Sequence, residues 1–250
     1  MLENIRVVLV RTFHSGNIGS AARAMKTMGL SDLVLVEPKD FATQEGKDEA
    51  YKMAMSADDV VGNITQADSL YDAVKDCSVV DASTARERGY DLPYLNPEES
   101  AQKLLTHSSD NKVALVFGPE RMGLSNEDLE FCKYRVTIPT NPNYSSLNIA
   151  AAVQTLTYEI FKNSLNENIL GTTADVSISS ENERTPPDME SLERLFTHME
   201  GTLSETGFII KNHPGEAMKK LRQLLVRAEL DESEVRILRG VFSSVDRLTK

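Results

Sequence analysis

Val113-Ala114-Leu115-Val116-Phe117-Gly118-Pro119-Glu120-Arg121-Met122-Gly123-Leu124-Ser125 is the stretch on which the fold turns. An apolar run stops abruptly at a glycine and a proline, and a polar loop leads to a serine suited to cap a helix. A short strand without polar alternation is what burial on both faces of a parallel sheet produces. The same signature recurs in Ile5–Leu9, Leu33–Val36, Ser78–Asp81 and Tyr134–Ile138. Helical patterns near 18–29, 68–76, 97–105 and 147–162 lie between these runs. Strand alternating with helix predicts an α/β domain with a largely parallel sheet over residues 1–164. Open α/β sheets bind ligands in the loops at the carboxyl ends of their strands, which marks the 118–125 loop as a candidate site.

Beyond this region the composition changes. Residues 165–187 are rich in Asn, Ser, Thr and Glu and end in Pro186-Pro187, which reads as a linker. Residues 188–250 regain helical periodicity. Leu192, Leu195, Phe196 and Met199 fall on one face, as do Leu221, Leu224, Leu225 and Ala228. Gly207 and Pro214 divide this tail into two or three helices, and Lys219, Lys220, Arg222, Arg227, Arg236, Arg239 and Arg247 make it locally basic. A small helical domain on a tether is the simplest reading.

Composition narrows the function classes. With 40% hydrophobic and 26% charged residues the chain is an ordinary globular protein, and no apolar run is long enough to cross a bilayer. The first residues run straight into a strand pattern without the layout of a signal peptide. Two cysteines, Cys77 and Cys132, suit a reduced cytoplasmic chain, and no Cys/His cluster has zinc spacing. The net charge of −11 opposes nucleic-acid binding unless basic residues converge on one face.

Two more segments carry chemistry. His14-Ser15-Gly16-Asn17-Ile18-Gly19-Ser20-Ala21-Ala22-Arg23 follows a strand and opens a helix that Asn17 or Ser20 could cap. Arg23, under two turns in, could reach back to the mouth of the site. Its spacing is not G-x-G-x-x-G, which counts against a dinucleotide-binding oxidoreductase. Read alone, this segment is more simply a capped helix with a solvated arginine. In Ile138-Pro139-Thr140-Asn141-Pro142-Asn143-Tyr144-Ser145-Ser146-Leu147-Asn148, two prolines stiffen a polar loop before an Ala-rich helix. Ser145 and Ser146 are the expected caps, with Asn148 inside the first turn.

Together, Asn17-x5-Arg23, then Phe117-Gly118-x-Glu120-x-x-Gly123-Leu124, then Ser145-Ser146-Leu147-Asn148 resemble the three ordered motifs of the SpoU (TrmH) branch of the SPOUT methyltransferases. The fuller stretches 16–30 and 141–148 look closest to its bacterial TrmJ group, which methylates the ribose 2′-hydroxyl of cytidine or uridine at position 32 of the tRNA anticodon loop. The resemblance implies a sheet whose C-terminal part forms a trefoil knot, a homodimer with the site at the subunit interface, S-adenosylmethionine as cofactor and tRNA as substrate. No metal is implied, because the cofactor is already cationic.

By motif matching, the resemblance makes Ser83, Thr84, Ala85, Gly118, Glu120, Ile138, Ser145, Ser146 and Leu147 the cofactor-binding residues. It makes Arg23, Asn17, Ser146 and Asn148 the catalytic set. Arg11, His14, Arg86, Arg88 and Arg121 are candidate RNA contacts, and the helical tail is a candidate tRNA clamp. Arginine is almost always protonated, so Arg23 is expected to bind phosphate or orient the hydroxyl. Two features depart from the pattern. An acidic run occupies residues 40–59, and Asp81 stands before the cofactor loop where a small residue is expected. The motifs alone do not separate tRNA from ribosomal RNA. A knot that merely bound RNA would not need Arg23, Glu120, Ser146 and Asn148 together.

Overall fold

The computed structural model describes residues 1–85, 90–170, 185–209 and 215–248. The chain divides into two compact units, Met1–Val176 and Ser177–Lys250. In the first, a single 3-10 turn leads into β1 (Ile5–Val10), α1 (Ser15–Thr27), β2 (Asp32–Val36), α2 (Gln44–Ala54), α3 (Asp58–Gly62), β3 (Thr65–Ala67) and α4 (Leu70–Val74). There follow β4 (Cys77–Ser83), β5 (Tyr94–Leu95), α5 (Pro97–Ser108), β6 (Lys112–Phe117), α6 (Asn126–Leu129), β7 (Tyr134–Val136) and α7 (Ile149–Leu170).

The strands form a seven-stranded sheet in the order β3-β2-β1-β6-β4-β7-β5, and every pairing is parallel. All six residues of β1 are buried, and in β6 everything after Lys112 is. That is why neither strand alternates: helices cover both faces. Burying each large apolar side chain stabilises the fold by roughly 1.5–3 kcal/mol. The one polar residue inside β1, Arg6, lies 3.0 Å from Asp32 and 2.7 Å from Asp76 and donates to the carbonyl of Ala73. It thereby ties the amino ends of β1 and β2 to the end of α4.

Each expected strand is present, with boundaries shifted by a residue or two; β7 stops at Val136, short of Ile138. The two edge strands, β3 and β5, and helices α2 and α3 have no counterpart in the sequence reading. Strands of three and two residues hold too few side chains to show a period. Helix α2 carries Glu45, Asp48 and Glu49 of the acidic run, and it lies directly against α1. A Cβ on Gly19 would sit 2.0 Å from the Ala50 carbonyl oxygen, so only glycine permits that approach. Helix α7 continues to Leu170, past residue 165, where the composition places the start of a linker.

The second unit holds α8 (Met189–Glu205), α9 (Gly215–Arg227) and α10 (Glu232–Asp246). Leu192, Leu195, Phe196 and Met199 are its core, joined by Met218 and Val235. On α9 the inner stripe is Met218, Leu221 and Leu225, while Leu224 and Ala228 are exposed, which narrows the face expected from the sequence. Gly207, at φ +76°, closes α8; Pro214 lies outside the described residues. Arg222, one of the basic residues of the tail, is paired with Glu193 and stacks 4.4 Å from the Phe196 ring.

Candidate active site

The carboxyl ends of β4, β6 and β7 stop level with one another. Ser83 is paired with Phe117 on one side and Val136 on the other. The Thr84 N–H donates to the Val136 carbonyl at 2.9 Å, and the Thr137 hydroxyl donates to the Thr84 carbonyl at 2.9 Å. The chain leaving the three strands therefore forms the walls of one cleft. Its lining includes Ser83, Thr84, Ala85, Gly118, Glu120, Ile138, Ser145, Ser146 and Leu147, all nine residues that the motifs assign to the cofactor. Phe117, Pro119, Arg121, Met122, Gly123, Thr140, Ile149 and Ala152 complete it. Met122, Thr140, Ile149 and Ala152 were not singled out in the sequence; they flank the motifs and carry no distinctive chemistry of their own.

Gly118 sets the shape of the middle wall. A Cβ there would meet the Leu124 backbone nitrogen at 2.3 Å and the Gly123 carbonyl carbon at 2.4 Å. The loop doubles back on itself, with Gly123 at φ +66° and its N–H donating to the Pro119 carbonyl at 2.9 Å. Ser125 then caps α6 reciprocally with Asp128.

The turn of this loop presents Glu120 to the start of α1. Its carboxylate accepts from the Phe13 N–H at 3.1 Å, the His14 N–H at 3.5 Å and the Asn17 side chain at 2.8 Å. Burial pushes the Glu120 carboxyl up, but these donors and its own backbone N–H outweigh it and hold the group below the usual carboxylate range. Glu120 is therefore an ionised acceptor at neutral pH. The Asn17 carbonyl oxygen accepts in turn from the Asn148 amide at 3.0 Å. One hydrogen-bonded line, Asn148 to Asn17 to Glu120, joins all three motifs.

Two capping expectations change. Helix α1 begins at Ser15 with His14 at its cap position and no side-chain cap, so neither Asn17 nor Ser20 caps it; Asn17 faces Glu120 instead. Asn148 precedes α7, and its side-chain oxygen accepts from the Ala150 N–H at 2.9 Å. It is the cap that Ser145 and Ser146 were expected to supply, leaving both serines exposed in the cleft.

The remaining candidates are dispersed. Arg23 is exposed on α1, away from the cleft lining of its own chain, and among the described residues its guanidinium has no hydrogen-bond or ion-pair partner. Arg121 is exposed at the cleft, and His14 is exposed beside Glu120. Arg11 is held by Asp128 and lies 3.6 Å from Glu37. Arg86 and Arg88 lie outside the described residues. Among the described residues no cluster could hold a metal ion, and no helix is long and apolar enough to cross a membrane.

Residues 4–158 match the model of the SpoU rRNA Methylase family, and residues 190–250 match that of the C-terminal domain of the tRNA methyltransferase TrmJ. The chain is 45% identical, over 251 residues and its whole length, to the tRNA (cytidine/uridine-2′-O-)-methyltransferase TrmJ of Salmonella typhimurium, covering 99% of that protein. It is also 45% identical to the protein of the same name from Escherichia coli K12, covering 98% of it. TrmJ from Z. mobilis ZM4 has the same fold, with a TM-score of 0.80 at 33% identity over 96% of this chain and 98% of that one. A probable methylase family protein from Haemophilus influenzae Rd KW20 is 41% identical over the full length of both chains, with a TM-score of 0.62. With both domains matched in order and full-length relatives at this identity, the chain belongs to the SpoU methylase family, in its TrmJ group, and is a methyltransferase.

Proposed function

We propose that this protein transfers the methyl group of S-adenosylmethionine to the ribose 2′-oxygen of cytidine or uridine at position 32 of the tRNA anticodon loop, as a homodimer of knotted domains in the cytoplasm. The observation that carries the reading is the Asn148–Asn17–Glu120 line. It links one residue from each of the three motifs, in a chain whose full-length relatives are named tRNA (cytidine/uridine-2′-O-)-methyltransferases. The strand order supports the knot, because β7, late in the domain, is inserted between β4 and β5.

The lining suits the cofactor. Apolar surface from Phe117, Ile138, Leu147 and Ile149 offers a slot for a purine face. Hydroxyls of Thr84, Thr140, Ser145 and Ser146 and the backbone at the strand ends offer partners for ribose and amino-acid groups. When bound, S-adenosylmethionine supplies an electrophilic methyl on a cationic sulfur that departs neutral.

The protein's part is positioning and proton removal. Glu120, ionised, fixes Asn17 and the N–H groups of Phe13 and His14 just before α1. Asn148 orients the other end of Asn17, and Ser146 faces the cleft. Arg23, whose guanidinium has no partner among the described residues, donates to the phosphate or hydroxyl of the target nucleotide across the dimer interface. Arg121 and His14 contact RNA at the rim, and the helical tail adds further cations for phosphate, among them the exposed Lys220, Arg236 and Arg239.

Methyl incorporation from labelled S-adenosylmethionine into unmodified bulk tRNA tests the reading. The expected product, identified by mass spectrometry, is 2′-O-methylcytidine or 2′-O-methyluridine at position 32. Labelling of ribosomal RNA alone would overturn the substrate. A second expected result concerns the loop. Gly118→Ala should force the 123–124 backbone outward at a cost of about 1–3 kcal/mol. It should weaken S-adenosylhomocysteine binding, measured by calorimetry, by about tenfold or more. Unchanged affinity would show that the loop is not a cofactor wall.

A further inference from the structure

Arg11 is the first residue of the β1–α1 loop, in the left-handed region at φ +50°. For a residue with a Cβ this conformation is sparsely populated and persists only where its surroundings impose it. Its N–H donates to the Val36 carbonyl at 2.7 Å, which pins the backbone. Its guanidinium is bonded to the nearly buried Asp128 and lies 3.6 Å from Glu37. Asp128 has a second task. The same carboxylate oxygen, Oδ2, accepts from the Ser125 N–H at 2.7 Å, closing the loop that carries Glu120.

Two links therefore join the same pair of segments. One runs from Glu120 to Phe13, His14 and Asn17; the other runs from Asp128 to Arg11, two residues before Phe13. The first lies at the cleft mouth. The second lies outside the cleft lining, at the base of both loops.

We propose that Arg11 and Asp128 are positioning residues for methyl transfer: their ion pair sets the spacing between residues 11–17 and 118–125, and so the alignment of Asn17 with Glu120. Arg11 on this account is not an RNA contact. The inference rests on the reading of Asn17 and Glu120 as parts of the active site. Small misplacements of positioned groups cost catalysis steeply, up to about 10²-fold for 1 Å.

The test uses the full-length protein with Arg11→Leu, Arg11→Lys, Asp128→Asn, the Arg11→Leu/Asp128→Asn pair and Glu120→Gln. Arg11→Leu should lower kcat on tRNA on the order of tenfold. The tRNA Kd and its salt dependence should stay at wild-type values, and Arg11→Lys, which keeps a cation opposite Asp128, should recover part of the loss. The double variant should be no worse than the poorer single one, because residues that act as one link are not additive. A wild-type kcat in Arg11→Leu, alongside a loss in Glu120→Gln, would overturn the positioning role and leave the site standing. Wild-type rates in both would overturn the two together. A weaker tRNA Kd with a salt slope reduced by about one and kcat intact would make Arg11 a phosphate contact instead.

Discussion

Arg23→Ala should lower kcat for tRNA methylation by about 10²–10³-fold while S-adenosylhomocysteine binds with near wild-type affinity. The structure separates this arginine from Arg6 and Arg11. Arg6 is held by Asp32 and Asp76, and Arg11 by Asp128. Arg23 stands exposed on α1 with no partner for its guanidinium among the described residues. A charge left unpaired at the surface is available to a phosphate or to a ribose hydroxyl losing its proton. Because Arg23 is not on the lining of its own cleft, cofactor binding should survive its removal. Single-turnover rates with saturating tRNA, together with calorimetry on S-adenosylhomocysteine, separate the two effects. A fully active Arg23→Ala variant would sink the assignment. Parallel loss of cofactor affinity would show that the arginine acts on the cleft itself.

The second large effect concerns Asp81, which stands where the motif reading expects a small residue. It lies in the middle of the sheet, paired with Leu115 on one side and Tyr134 on the other, and is wholly buried. The Ser100 hydroxyl donates to one oxygen at 2.5 Å, and the other has no hydrogen-bond partner among the described residues. Burial pushes the carboxyl up to about 7, against the Ser100 bond and the charges of Lys103 and Lys133, which pull it down. The unfolded chain titrates near 3.9. Between these values the folded state holds the extra proton. Asp81's contribution is therefore fully present below about pH 4 and is lost as pH rises through about 7.

Asp81→Asn removes that titration. The stability of the natural protein relative to Asp81→Asn should fall by about 4 kcal/mol between pH 4 and pH 8. Taking the difference matters, because Asp76 and Glu120, both held low, make opposite contributions that are lost as pH falls. Denaturant titrations of both proteins across this range provide the comparison. Parallel curves would mean that Asp81 keeps an ordinary carboxylate pKa in the folded state.

Much of the fold is legible in the chain because burial on two faces writes a predominantly apolar strand without polar alternation, and β1, β2, β4, β6 and β7 all carry that pattern. The edge strands β3 and β5 do not, since a two- or three-residue strand at a rim is selected by its neighbour's free backbone groups and not by its own side chains. At the site, the motifs carry the identities of Asn17, Glu120 and Asn148, but local propensity misassigns two of them. Asn17 at the start of a helix reads as a cap, and Asn148 reads as a misplaced helical residue. Their tasks depend on partners 103 and 131 positions away.

The sequence by itself determined the α/β alternation, the order of the three motifs and the change to a helical tail, because each is written in neighbouring residues. Only the tertiary structure decided that Asn148 is bonded to Asn17, that Arg11 is held by Asp128, and that Asp81 is a buried acid. These are settled by contact and by exclusion from water between segments far apart in the chain, and no window of sequence contains both sides of such a contact.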